Sequence, residues 1–158
     1  MIIEYEARYI EEVKTLLCEL QQHIKDIDIE GYNKVGINYK DLYFKKIFEE
    51  VNRCAGKILL YKVDEEIVGV VIGLVNNDER DNDDSCLPRI GRVTELVVSK
   101  RFRAKQIGTA LLRAIEDYLI SIGCESILLG VLAYNEEAIE FYLKNGYHNR
   151  TIEMIKCL

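Results

Sequence analysis

Thr94-Glu95-Leu96-Val97-Val98-Ser99, then Lys100-Arg101-Phe102-Arg103-Ala104-Lys105-Gln106, then Ile107-Gly108-Thr109-Ala110-Leu111-Leu112 is the stretch on which the fold turns. The first part reads as the end of a strand over Ile90–Ser99, rich in β-branched residues. The last part opens the cleanest helical pattern in the chain. Ile107, Ala110, Leu111, Ala114, Ile115, Tyr118, Leu119 and Ile122 repeat at intervals of three and one, and Gly123 suits the C′ position. Between them, Ser99 to Gln106 holds four cations and no acid. A helix start leaves unpaired N–H groups and a partial positive charge. With flanking cations, and with Gly108 allowing close backbone approach, the segment predicts an anion cradle suited to phosphate. It is neither a P-loop nor a dinucleotide fingerprint, because G-x-x-x-x-G-K-[ST] and G-x-G-x-x-G are both absent. The other reading is a solvated basic loop before an ordinary helix.

Working outward, Lys57–Val63 and Ile67–Val75 read as a hairpin around Asp64-Glu65-Glu66, and Asn76–Arg89 as a polar, acidic loop. Upstream come a short strand at Ile2–Glu6 and an amphipathic helix over 8–24. A mixed loop at Asp26–Asn38 and a helix at Asp41–Val51, with Gly56 as its terminator, follow. Downstream, Ser126–Leu132 is an apolar strand of the kind buried on both faces. Glu136–Lys144 is a short helix ended by Asn145-Gly146, and Thr151–Leu158 alternates as a last strand. The order β-α-α-β-β-β-α-β-α-β predicts an α/β (α+β) fold with a mixed sheet and helices on both faces.

A length of 158 residues predicts one domain over 1–158. The longest apolar run, Ile67–Val75, is far short of the ~20 residues a membrane helix needs, so no membrane partner is expected. The start has no basic flank or long apolar stretch, so it does not read as a signal peptide. Five cysteines, with no C-x-x-C spacing, read as reduced thiols in a cytoplasm. The net charge of −6 argues against nucleic acid. Since 99–106 carries four positive charges, the rest of the chain carries −10. A Debye length of about 8 Å lets the local patch attract an anion despite that sign.

Val97-Val98-Ser99-Lys100-Arg101-Phe102-Arg103-Ala104-Lys105-Gln106-Ile107-Gly108-Thr109 resembles the acyl-CoA-binding motif of the GNAT superfamily of N-acetyltransferases, Arg/Gln-x-x-Gly-x-Gly/Ala after a strand. Asn135-Glu136-Glu137-Ala138-Ile139-Glu140-Phe141-Tyr142-Leu143-Lys144-Asn145-Gly146-Tyr147 resembles the second motif of that family. The likeness is firm over 57–158, the cofactor-binding core, and weak over 1–56, where the family varies with its acceptor. It implies a mostly antiparallel sheet with a splayed central pair of parallel strands, at 90–99 and 126–132. Acetyl-CoA would lie in the gap, its pantetheine against the backbone of Val97 and Val98. Its pyrophosphate would sit on the amides from Arg103 through Gln106, Ile107 and Gly108 to Thr109. The sequence departs from the motif at Gln106, where the family has glycine, so Gln106 must find an allowed conformation.

The resemblance also implies acyl transfer to a primary amine by direct attack in a ternary complex, without a metal, and a possible homodimer, since many members dimerise. A lysine-like amine of pKa about 10.4 is almost fully protonated at pH 7, so the reaction requires a base. Glu95, expected on the strand face of Val93 and Val97, is the candidate base; the other reading is a carboxylate paired with a Lys or Arg. Tyr142 matches the family's tyrosine facing the departing thiolate, or is a packed helix tyrosine. Asn135 matches a cofactor-contacting asparagine, or is the N-cap of the helix at Glu136. The N–H of Val97 or Val98 is the available oxyanion donor.

His23 and His148 stand alone in sequence and read as surface residues, His148 being a minor alternative base. Asp81-x-Asp83-x-Ser85 lacks the Gly and Glu of a calcium loop. The acidic run at 78–84 reads as a solvated loop, or with Asp26, Asp28 and Glu30 as a lip that attracts a small cationic or peptide amine. A non-catalytic acyl-CoA-binding or protein-interaction module is the alternative function.

Overall fold

The computed structural model describes residues 1–33, 39–76 and 89–156. Five strands form one sheet in the order β1 (Ile2–Glu4), β2 (Lys57–Val63), β3 (Glu66–Val75), β4 (Ile90–Val98), β5 (Ser126–Leu128). All neighbours are antiparallel except β4 and β5, which are parallel. The helices are α1 (Ile10–Ile27), α2 (Tyr39–Arg53), α3 (Ile107–Ser121) and α4 (Glu136–Lys144). This is the expected mixed architecture. The expected acidic loop at 78–84 lies outside the described residues.

Two hydrophobic layers cover the sheet. On one face Val13, Leu16 and Leu17 of α1 and Phe44, Ile47 and Val51 of α2 pack on Leu60, Val70, Ile72 and Val97. On the other, Ile107, Leu111, Leu112 and Ile115 of α3 pack on Leu59, Val71 and Val93, with Phe141 and Tyr142 of α4 at the margin. The α3 spacing seen in sequence is thus a buried stripe, and Gly123, at φ 89°, closes the helix by donating its N–H to Ile120 O at 2.9 Å.

The register holds the main departure from expectation. Ile72 pairs with Glu95 but Gly73 pairs with Val93, so Thr94 is an extra residue, a β-bulge. Strict alternation would put Val93, Glu95 and Val97 on one face. The bulge reverses the phase, so Val97 packs with α1 and α2 while Val93 packs with α3. Glu95, two residues before Val97, shares its face. The expectation that Glu95 shares a face with Val93 is corrected on this ground.

β4 and β5 pair over three positions, Ile90↔Ser126 to Arg92↔Leu128, and no pairing joins them beyond these. The apolar run 126–132 is therefore not a long strand buried on both faces. Pairing stops at Leu128, Ile127 and Leu129 are half-buried, and Val131 is exposed. Among the described residues β5 is the sheet edge and has β4 as its one neighbour. The last strand expected at Thr151–Leu158 is not formed over 151–156, where Ile152 and Met154 are 86% and 90% exposed. Alternation makes a segment amphipathic, but a strand also needs a partner edge.

Candidate active site

A cleft of about 440 Å³ opens where β4 and β5 part. One wall is the end of β4, Leu96 to Val98. The floor is the loop and helix start from Arg103 to Thr109, and the opposite wall is Asn135, Ala138, Phe141 and Tyr142. Leu20 and His23 of α1 close the far end. Val97, Val98, Arg103, Gln106, Ile107, Gly108, Thr109, Asn135 and Tyr142 are thereby brought into one cavity.

The loop before α3 has the shape of an anion nest. Ala104 and Gln106 both adopt left-handed backbone, with φ of 61° and 60°. Alternation with left-handed residues turns successive N–H groups toward one concavity, at the positive end of a helix. Gln106 stands at the N-cap with no side-chain cap bond, so its side chain does not offset the strain. Gln106→Gly is expected to raise stability by roughly 0.5–1 kcal/mol, the relief of a left-handed residue less the extra chain entropy of glycine. Thermal unfolding would read this as a rise of roughly 1–4 °C.

The polarity of β4 toward the gap follows from one bond. Ser99 N–H donates to Val68 O at 2.8 Å. Successive N–H groups on a strand point to opposite sides, so the Val97 N–H faces β3 and the Val98 N–H faces the gap. Val98 O accepts from Arg103 Nε at 3.3 Å, which holds the guanidinium at the cleft. Asn135 caps α4, its side chain accepting from the Ala138 N–H at 3.2 Å. The cap reading holds, and the same side chain lines the cavity.

Glu95 is the single buried charged residue among those described, at 8% exposure. It forms no salt bridge there; its partner is the Tyr43 hydroxyl, which donates to Oε1. Burial pushes its pKa up to about 7, against the opposing pull of that hydrogen bond. Tyr142, on the cleft wall, is pushed up to about 12, first by burial and then by the negative charge of Glu95. Its ring packs edge-on against Phe141 and Tyr147, with centroids 5.2 and 5.7 Å away. Glu95 does not itself line the cleft; it lies on the α1–α2 face next to Leu96, which does, and its charge reaches the Tyr142 phenol.

Sequence reasoning missed three residues. His23 lines the cleft, and its signal was present: Leu16, Leu20 and His23 share a helical stripe. Tyr43 and its neighbour Gln21 carried no such signal. His148 is exposed and not part of the cleft wall. Asp26, Asp28 and Glu30 near the end of α1 accept from Gln22, Asn33 and Tyr134. These three donors are neutral side chains.

The acetyltransferase (GNAT) family model matches residues 20–147. The chain belongs to this family. A glucosamine 6-phosphate N-acetyltransferase of Arabidopsis thaliana is 28% identical to this GNAT protein over 131 residues, covering 82% of this chain and 85% of the relative. A solved Bacillus halodurans protein superposes with a TM-score of 0.85 at 19% identity, covering 100% and 99% of the two chains. An aminoglycoside N-acetyltransferase solved with CoA gives 0.69 at 14% identity, with full coverage of both. The GNAT chain is an acyl-CoA-dependent N-acetyltransferase. Among its described residues no cluster of three or more His, Cys, Asp or Glu could hold a metal ion, and no helix is long and apolar enough to cross a membrane.

Proposed function

We propose that this chain transfers the acetyl group of acetyl-CoA to the primary amine of a small cationic acceptor, by direct attack within a ternary complex. The observation that carries the reading is a cleft that combines an anion nest, β4 backbone and the Tyr142 phenol, with the buried Glu95 carboxylate adjoining it. In this reading the amides from Arg103 to Thr109 hold the pyrophosphate, and Arg103 supplies charge. The Val98 N–H, which points into the gap, donates to the thioester oxygen as it gains charge. Glu95 accepts the amine proton through water. Tyr142 donates a hydrogen bond to the departing thiolate; a phenol of such high pKa stabilises the thiolate without being consumed.

The cationic acceptor is favoured by the uncancelled carboxylates Asp26, Asp28 and Glu30, in the part of the chain nearest Leu20 and His23. Residues 1–56 would then form the acceptor side and 57–158 the cofactor core of one catalytic unit. The proposed setting is a cytoplasm, which keeps Cys18, Cys54 and Cys124 as free thiols.

Thermal unfolding with and without acetyl-CoA tests the cofactor half. At 100 times the dissociation constant, binding adds about 2.7 kcal/mol. The expected rise is roughly 5–10 °C, unmatched by ATP or NAD. No rise at millimolar acetyl-CoA overturns the reading. An acceptor screen with glucosamine 6-phosphate, an aminoglycoside and spermidine, read by mass, tests the other half.

A further inference from the structure

The Glu95 carboxylate is held from outside its own strand. Tyr43 reaches it from α2, and the same hydroxyl oxygen accepts from Gln21 Nε2 of α1 at 3.1 Å. The chain of donors has one direction. An amide nitrogen can only donate, so the Tyr43 oxygen accepts from Gln21 and its own proton goes to Glu95. Two helices and a strand, 22 and 52 residues apart along the chain, meet in this relay. The Tyr43 ring packs against the α1–α2 core, but a phenylalanine there would fill the same space, so the hydroxyl is not required for packing.

We propose that Tyr43 is a positioning residue for the acyl transfer: backed by Gln21, its hydroxyl locks the Glu95 carboxylate in one orientation and supplies its ionised form with a donor. The proposal rests on Glu95 being the base.

The bulge at Thr94 turns Glu95 onto the face covered by α1 and α2, where it is buried and an ionised carboxylate is costly. A charged acceptor strengthens the hydrogen bonds that reach it, and a polarised chain of two donors does so further. The other groups around Glu95 do not replace this donor. Tyr142 on α4 feels the Glu95 charge as a repulsion against its own ionisation. Ile72 is the cross-strand neighbour on β3. Lys14 on α1 is committed to Glu11 and Asp41. His23 on α1 lines the cleft, and among the described residues Tyr43 is the one side chain that donates a hydrogen bond to the Glu95 carboxyl. Tyr43 thus opposes burial and brings the base into the range where it is ionised at neutral pH.

The test reads Glu95 directly. Protein labelled with 13C at the glutamate carboxyl is titrated by NMR as wild type, Tyr43→Phe and Gln21→Leu, with Glu95→Gln assigning the signal. The pH dependence of kcat/KM is measured on the same proteins with acetyl-CoA and the amine from the screen above. A hydrogen bond to a charged group corresponds to about one pH unit. The expected result is a Glu95 midpoint about one unit higher in Tyr43→Phe and a smaller rise in Gln21→Leu. The acidic limb of kcat/KM moves by the same amount. Activity near pH 7 then falls about fivefold in Tyr43→Phe, and about tenfold well below that pH, and recovers toward the wild-type plateau at higher pH. Gln21→Leu keeps the proposal testable should Tyr43→Phe fold poorly. A midpoint that stays in place overturns the role of Tyr43 and leaves that of Glu95 standing. A midpoint that moves while the kinetic limb does not overturns the base reading, and the positioning role with it. An activity loss equal at every pH also overturns the proposal, because a purely structural defect would produce it.

Discussion

Glu95→Gln is expected to lower kcat/KM by about 10²–10⁴-fold, the usual contribution of a positioned base. It is also expected to erase the acidic limb of the pH profile, which in the wild type rises through a midpoint near 7. Glutamine keeps the shape of the side chain, and its Oε1 still accepts from Tyr43, so the fold is preserved. Stability should move the opposite way from activity. The folded pKa of Glu95 lies at about 7, above its ordinary value of 4.5. The folded state therefore binds the proton more tightly than the unfolded one. Wild-type stability from this group is fully present below about pH 4.5 and is lost as pH rises through 7. Glu95→Gln removes that loss. The variant should match the wild type in thermal midpoint at pH 5 and exceed it at pH 8, while being far less active. Activity assays at pH 6 to 9 and unfolding scans at the same pH values check both halves. A variant that is inactive but no more stable at pH 8 would mean that Glu95 is not held against its charge.

Leu112→Ala should have the largest effect on stability. Leu112 is fully buried in the layer between α3 and the sheet, beside Leu111 and Ile115. Removing its branched end forfeits transfer energy and leaves a cavity that a rigid sheet cannot close, a cost of about 2–5 kcal/mol. Each kcal/mol shifts the melting temperature by about 2–4 °C in a chain of this size. Chemical denaturation should show a lower midpoint with an unchanged slope, because the surface exposed on unfolding hardly changes. Acetyl-CoA at saturating concentration should restore part of the loss by mass action, since α3 also carries the nest at its start. A loss below 1 kcal/mol would mean that the layer repacks around the gap.

Much of this was legible in the sequence, for identifiable reasons. The hairpin of β2 and β3, the stripe of α3 and the limits of α4 follow from local periodicity, and local periodicity is what a chain writes plainly. The two motifs marked the cleft because its lining comes largely from two short continuous runs, at the start of α3 and along α4. Glu95 could be named, but not its facing. The Thr94 bulge arises from the pairing of β4 with β3, and a one-residue slip in phase leaves no mark on the strand that makes it. Tyr43 and Gln21 were illegible for a related reason: each meets its partner only after the helices dock. The alternation at 151–156 misled because a strand is a relation between two segments, and β5, which stops at Leu128, does not supply the other one.

The two-sided construction of the sheet bears on how such a protein changes over generations. The residues under α1 and α2 and those under α3 belong to separate layers, with the sheet as a partition between them. Effects of substitutions in groups that share no partners add, and do not compound. A lineage can therefore repack the α1–α2 layer at a cost that the α3 layer does not magnify. That independence is one physical route by which a single scaffold tolerates change on one face of its sheet.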